Sequence, residues 1–322
     1  MSEAQQATNS LYHIAPTHPT QPADVSHLRL VPCPVHNLPV QLSSFIGRSH
    51  ELVEVTDMLA SARLLTLTGS GGCGKTRLAL QAATDLLTTF SDGVWWIELA
   101  ALADESLLPQ TVARALGVHE QLGRPLVETI ADHLQAKRQL LILDNCEHLV
   151  VACAALADTL LRTCPHLQVM ATSREALRIS GETVWRVPPL ALPQHDPTRN
   201  TTSAYASSAQ SGTIALLRSA VPSTTASDNW QLLAQAEAVQ LFVARAAAIL
   251  PAFRLTCQNA PVVAQICRRL DGIPLAIELA AARVNVLPVE QLAVRLDEDF
   301  RVLTAGSRTA LPRHQTLRAA IE

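Results

Sequence analysis

Four glycines stand in the run GSGGCGKT, from Gly69 to Thr76, at Gly69, Gly71, Gly72 and Gly74. Followed by a Lys–Thr pair, this spacing is that of a loop made to hold phosphate. Glycine lets successive backbone N–H groups curl around phosphate oxygens. Lys75 adds charge at the outer phosphates, and the Thr76 hydroxyl is a hard oxygen donor suited to magnesium. Arg77 comes next. A helix starting here would turn the positive end of its dipole toward the anion. Cys73 lies inside the loop; a redox switch is one reading of it, and a small side chain filling the loop is the simpler one.

A second stretch, LLILDNCEHL from Leu140 to Leu149, ends an aliphatic run in an acid. That is how a buried parallel strand delivers a carboxylate to a ligand, so Asp144 is the candidate magnesium acid. A turn or helix-cap aspartate is the plainer alternative. Asn145 is polar but cannot act as a carboxylate base. Glu147 either orients a water or occupies the first turn of a helix, where the dipole favours it; His148 is a weaker candidate. In ATSRE, Ala171 to Glu175, the residues Thr172, Ser173 and Arg174 would lie at a strand's carboxyl end. Strand ends of that kind face the ligand in open parallel sheets. Arg174 offers a planar fork for phosphate or is a surface arginine.

These residues need strands and helices to hold them. RLLTLTG, VWWIELA, LLILD and LQVMATS read as four strands, with TVWRV (Thr183 to Val187) a fifth. Helical stripes fill the gaps after Lys75 and over 107–116, 125–136 and 149–162. Alternation of this kind predicts an α/β fold, a parallel sheet covered on both faces. The domain reading is a flexible arm over 1–41, a nucleotide-binding domain over 42–193 and a low-complexity insert over 194–233. A helical domain follows over 234–304, and 305–322 begins another helical unit, so the chain reads as a fragment of something longer. FIGRSHEL and DGIPLAIELAAAR read on physics alone as a helix start and a packed helix, with Pro274 in a first turn.

Composition narrows the class. The chain has 322 residues, 48% of them hydrophobic, and a formal charge of -3, which offers no basic footprint for nucleic acid. Seven scattered cysteines without a CxxC pair read as reduced thiols of a cytosolic protein. The start lacks a secretory pattern, and the apolar run IPLAIELAAA is too short to span a bilayer.

Taken in order, FIGRSHEL, LLTLTGSGGCGKTRLAL, LLILDNCEHLV, ATSREALRISGE, VPPLALP, ICRRLDGIPLAIELAAARV and RHQTLRAAIE resemble the signal-transduction NTPases with numerous domains. This is the STAND or NB-ARC-like class, here nearest in likeness to bacterial regulators of the LuxR or AfsR type. The resemblance implies a P-loop core, a helical domain and then a winged helix, binding ATP or ADP with Mg2+. It also implies that Ile46, Gly47 and Arg48 lie along the adenine and ribose, that Pro274 packs near the base and that Arg174 reads the γ-phosphate. Asn145 departs from the second acid of many relatives. The function so implied is a regulatory switch with slow hydrolysis, able to self-associate on activation and to meet DNA only through domains outside this chain. Two alternatives stand beside it: a kinase-like phosphotransferase, and a nucleotide-binding interaction module without turnover.

Overall fold

The computed structural model describes residues 35–193 and 226–298, all within one compact unit. Its first half is built on β3 (Leu140–Asp144), whose five residues are all buried. A continuous aliphatic run is what a strand covered on both faces requires. Around it lie β1 (Leu64–Thr68), β2 (Val94–Glu98), β4 (Gln168–Ser173) and β5 (Glu182–Arg186) in the spatial order β2-β3-β4-β1-β5. All neighbours are parallel, and the register sets Glu98 beside Asp144, Leu143 beside Ala171 and Thr68 between Ser173 and Arg186. The strand ends that carry the candidate chemistry therefore finish along one rim.

Period-two alternation divides the strand residues between two layers. Leu141, Leu143, Val169 and Ala171 pack with α3 (Leu108–Leu116), α4 (Leu126–Leu134) and α5 (Val150–Thr163). Leu65, Leu67, Ile142 and Met170 pack with α1 (Ser49–Ser61) and α2 (Lys75–Asp85). Each such aliphatic side chain contributes about 1.5–3 kcal/mol by leaving water. The α/β reading holds, and the helices begin and end within a residue or two of their expected bounds at α3 and α5.

The second half is helical: α6 (Ala226–Gln235), α7 (Glu237–Ile249), α8 (Ala260–Arg269), α9 (Pro274–Ala281) and α10 (Val289–Glu298). It has its own core around Phe242, Val263, Ile266, Ile277 and Leu292. Phe242 meets Phe253 edge-on, with ring centroids 6.1 Å apart. Helix α6 starts at Ala226, inside the stretch read as the 194–233 insert.

The end of the stretch read as an arm is also fastened. His36 bridges to Val94, Asn37 Nδ2 donates to Trp96 O at 2.9 Å, and Trp96 N donates to Asn37 Oδ1 at 2.6 Å. An edge strand leaves backbone groups that need partners, and this segment supplies them for β2. The rest of the arm, most of the insert and the 305–322 segment lie outside the described residues. Among the described residues no helix is long and apolar enough to cross a membrane.

Candidate functional site

The phosphate-loop motif lies between β1 and α2 as its spacing requires. Gly69, Gly72 and Gly74 all have positive φ (150°, 77° and 92°), and Gly71 sits in the turn between them. At Gly72 the lack of a Cβ also permits close approach. Leu275 N, in the first turn of α9, donates to Gly72 O at 3.2 Å, and a Cβ on Gly72 would stand 2.9 Å from Leu275 Cβ. The helical half thus rests directly on the loop. Lys75 is buried, its Nζ donating to Gly69 O at 2.8 Å and Ser70 O at 3.0 Å, so the ammonium is already turned into the loop. Cys73 is buried at the loop's centre.

Asp144 meets the loop from β3. Thr76 Oγ1 donates to Asp144 Oδ1 at 2.8 Å, and Thr172 Oγ1 donates to the same oxygen at 2.6 Å. Burial pushes the Asp144 carboxyl above the usual carboxylate range, opposed by the two threonine hydroxyls and reinforced by Glu98 and Glu147. A buried carboxylate beside a threonine hydroxyl is a hard-oxygen donor set of the kind magnesium takes. The glycine-lined loop and Lys75 next to it suit the phosphates of a nucleotide. The residues present therefore fit both groups.

The backbone explains Asn145. Its φ is 68°, in the left-handed region where asparagine is favoured over most non-glycine residues. Its N–H donates to Thr172 Oγ1 at 2.9 Å. Asn145, Thr172 and Asp144 form one chain of hydrogen bonds, so Thr172 positions the acid. Glu147 Oε1 accepts from Arg174 Nε at 3.3 Å, while its Oε2 is buried without a hydrogen-bond partner. His148 Nε2 lies 2.8 Å from Leu102 O.

On the other side of the loop, Ile46, Arg48, Arg77 and Pro274 line one cavity, so the FIGR and GIPLA segments meet there. Gly47 and Arg48 are consecutive left-handed residues, φ 69° and 62°. The Arg48 guanidinium donates from Nη2 to Cys73 O at 2.7 Å and to Pro188 O at 2.9 Å, and its Nη1 is buried without a partner. Burial lowers its pKa, with Glu51, Cys73 and Glu237 acting in the opposite direction.

Three charged residues of this region escaped the sequence reading. Glu237 accepts from Arg48 N through Oε1 and from Ala191 N at 3.1 Å through Oε2, pinning the FIGR turn and the 187–193 segment to α7. Arg245 and Glu278 join the cavity lining, paired at 2.9 Å. Their signal in sequence was weak, since isolated charges on apolar helices look like solvated faces.

Comparison with known proteins points the same way. The NB-ARC domain family matches residues 49–181. A Mycobacterium tuberculosis protein named as an HTH-type transcriptional regulator is 40% identical over 265 residues, 82% of this chain and 25% of that protein. An uncharacterized protein of the same organism is 36% identical over 287 residues, 89% of this chain and 62% of its own length. The regulatory protein AfsR of Streptomyces coelicolor is similar over 126 residues at 33% identity, 34% of this chain and 13% of that protein. The chain thus spans only part of the length of each.

Proposed function

We propose that this chain, whose residues 49–181 match the NB-ARC domain family, is a switch of the STAND class held by ATP or ADP with magnesium, hydrolysing ATP slowly. One observation carries the reading. The Leu275 N–H of α9 donates to Gly72 O, a carbonyl of the phosphate loop itself. Any phosphate that reshapes this loop changes the seat of the helical half. A ligand shifts such an equilibrium only through contacts that differ between its two states, and loop and helix share those contacts here.

Slow turnover follows from the acids. Asp144 is followed by Asn145, which brings a backbone turn and no carboxylate, and Glu147 is engaged by Arg174. Bound magnesium would neutralise charge on the phosphates. Thr76 and Asp144 would hold it, and Lys75 would hold the outer phosphates. Arg174 would leave Glu147 for the γ-phosphate, freeing the carboxylate to orient water. The names of the relatives support placing the switch within a bacterial transcriptional or signalling regulator.

The test is the nucleotide content and turnover of the purified chain. ADP retained through purification, with turnover below about one per minute against the 1–1000 per second typical of enzymes, is the expected result. Fast turnover dependent on a small acceptor would overturn it. Lys75→Ala should weaken nucleotide binding at least about 100-fold, since two or more charge-assisted hydrogen bonds to phosphate are lost; wild-type affinity would remove the loop from the assignment.

A further inference from the structure

Arg77, Arg245 and Glu278 come from three different helices and converge beside the cavity. Glu278 Oε1 accepts from Arg245 Nε at 2.9 Å and pairs with Arg77 Nη1 at 3.6 Å. Both arginines also hold the short segment ahead of FIGR. Arg77 donates to Ser43 Oγ, Ser43 O and Ser44 O, each at 2.9 Å, and Arg245 Nη2 donates to Ser44 O at 3.0 Å. Four pieces of chain are thereby tied at one carboxylate: the 43–44 segment, α2 of the phosphate loop, and α7 and α9 of the helical half.

We propose that Glu278 is a positioning residue, the clasp that fixes the helical half against the phosphate-loop helix and sets how fast a bound nucleotide leaves. Glu278 lies one turn beyond Pro274, so it fastens α9 just past the point where that helix rests on Gly72. The 43–44 segment runs straight into Ile46, which lines the cavity with Pro274. Parting this wall from the loop to release a nucleoside breaks the clasp first.

Charge arithmetic gives the clasp its character. Two guanidiniums face one carboxylate, and the side chains are only 15% (Arg245), 33% (Arg77) and 31% (Glu278) exposed. Burial already lowers the pKa of Arg77, with Glu278 supporting its charge and Arg245 opposing it. Removing the carboxylate leaves two cations sharing the Ser44 carbonyl with no anion between them, a state worse than the loss of one surface pair. Removing Arg245 as well relieves that repulsion.

The inference rests on the nucleotide reading of the cavity, and the experiment separates the two. Release of a fluorescent ADP analogue from the full chain is followed by chase with unlabelled ADP, for the wild type, Glu278→Gln, Arg245→Gln and the double variant. Glu278→Gln should release about tenfold faster with little change in association, since breaking a desolvated charge pair acts on dissociation. Adding Arg245→Gln should bring the rate part of the way back. Wild-type release should rise with salt, and release from Glu278→Gln should respond less. Hydrogen exchange over residues 43–48 of the nucleotide-free protein should be faster in Glu278→Gln. Saturable binding with unchanged release in Glu278→Gln overturns the clasp alone, as does a double variant whose effect is the product of the single ones. Absence of saturable binding by the wild type overturns the nucleotide reading and the clasp with it.

Discussion

Thr76 Oγ1 donates to Asp144 Oδ1 at 2.8 Å, which ties the first turn of α2 to the end of β3. Because burial holds the Asp144 carboxyl above its ordinary range, the folded chain binds the proton more tightly than the unfolded one. The sign follows: stability falls as pH rises from the ordinary carboxylate pKa through the raised one. Asp144→Asn removes the buried charge and keeps an acceptor for the hydroxyls. In magnesium-free buffer at neutral pH its thermal midpoint should match or exceed the wild type. Its ADP affinity should no longer depend on magnesium. Titration with and without the metal checks this, and retained magnesium dependence would take Asp144 out of the metal site.

Glu147 and Arg174 neutralise each other at 3.3 Å, so each should have a separable effect. Arg174→Ala should weaken ATP relative to ADP by about tenfold, the worth of one charge-assisted hydrogen bond. Glu147→Gln should leave ADP affinity intact and slow ATP loss by about 10²-fold, at the lower end of general-base contributions. Single-turnover measurements decide it: equal losses for both nucleotides, or unchanged turnover, assign the pair to local structure.

The sheet and its rim were legible because local signals agreed. LLILD has the length, branching and bounding turn of a doubly buried strand, and GSGGCGKT requires a strand before it and a helix after it. The role of Asn145 was half legible. Its chemistry excluded a base, but its left-handed backbone shows only in the fold. The partnership of Glu237 with Arg48 spans 189 residues, and that of Arg245 with Glu278 spans 33. No periodicity encodes which distant charge a given carboxylate will meet. Thr172 was read with Ser173 and Arg174 as a group that could meet phosphate; the register of β3 and β4 turns it onto Asp144 instead.

Gly272 stands at the turn into α9 with φ 67°, and a Cβ there would lie 2.4 Å from the Leu190 carbonyl oxygen. Leu190 N donates to Gly272 O at 3.0 Å, so neither backbone can retreat without losing this bond. Gly117 has nearly the same φ, 69°, with nothing within 4 Å of its notional Cβ. The two together separate strain from collision. Gly117→Ala should cost about 1–2 kcal/mol, the left-handed penalty alone. Gly272→Ala should cost at least about 3 kcal/mol in chemical denaturation, as strain and a displaced backbone add. Equal costs would mean that the 187–193 segment yields freely.

Thiol labelling reads the loop without any turnover assay. Of the six described cysteines only Cys257 is exposed; Cys73, Cys146, Cys153, Cys164 and Cys267 are buried. Burial pushes the Cys267 thiol up to about 12, far from the thiolate that alkylation needs. Native alkylation near pH 8 should therefore modify Cys257 first among them. Cys73 should follow slowly as the loop opens, since in the closed loop it is buried with 4% exposure. Magnesium ADP should slow Cys73 further and leave the Cys257 rate unchanged, because only the former shares the phosphate loop with Lys75. Mass mapping of adducts over time makes the comparison within one sample. Cys73 reacting at the same rate with and without saturating nucleotide would show that phosphate does not close this loop, and the coupling of loop to helical half would lose its physical basis.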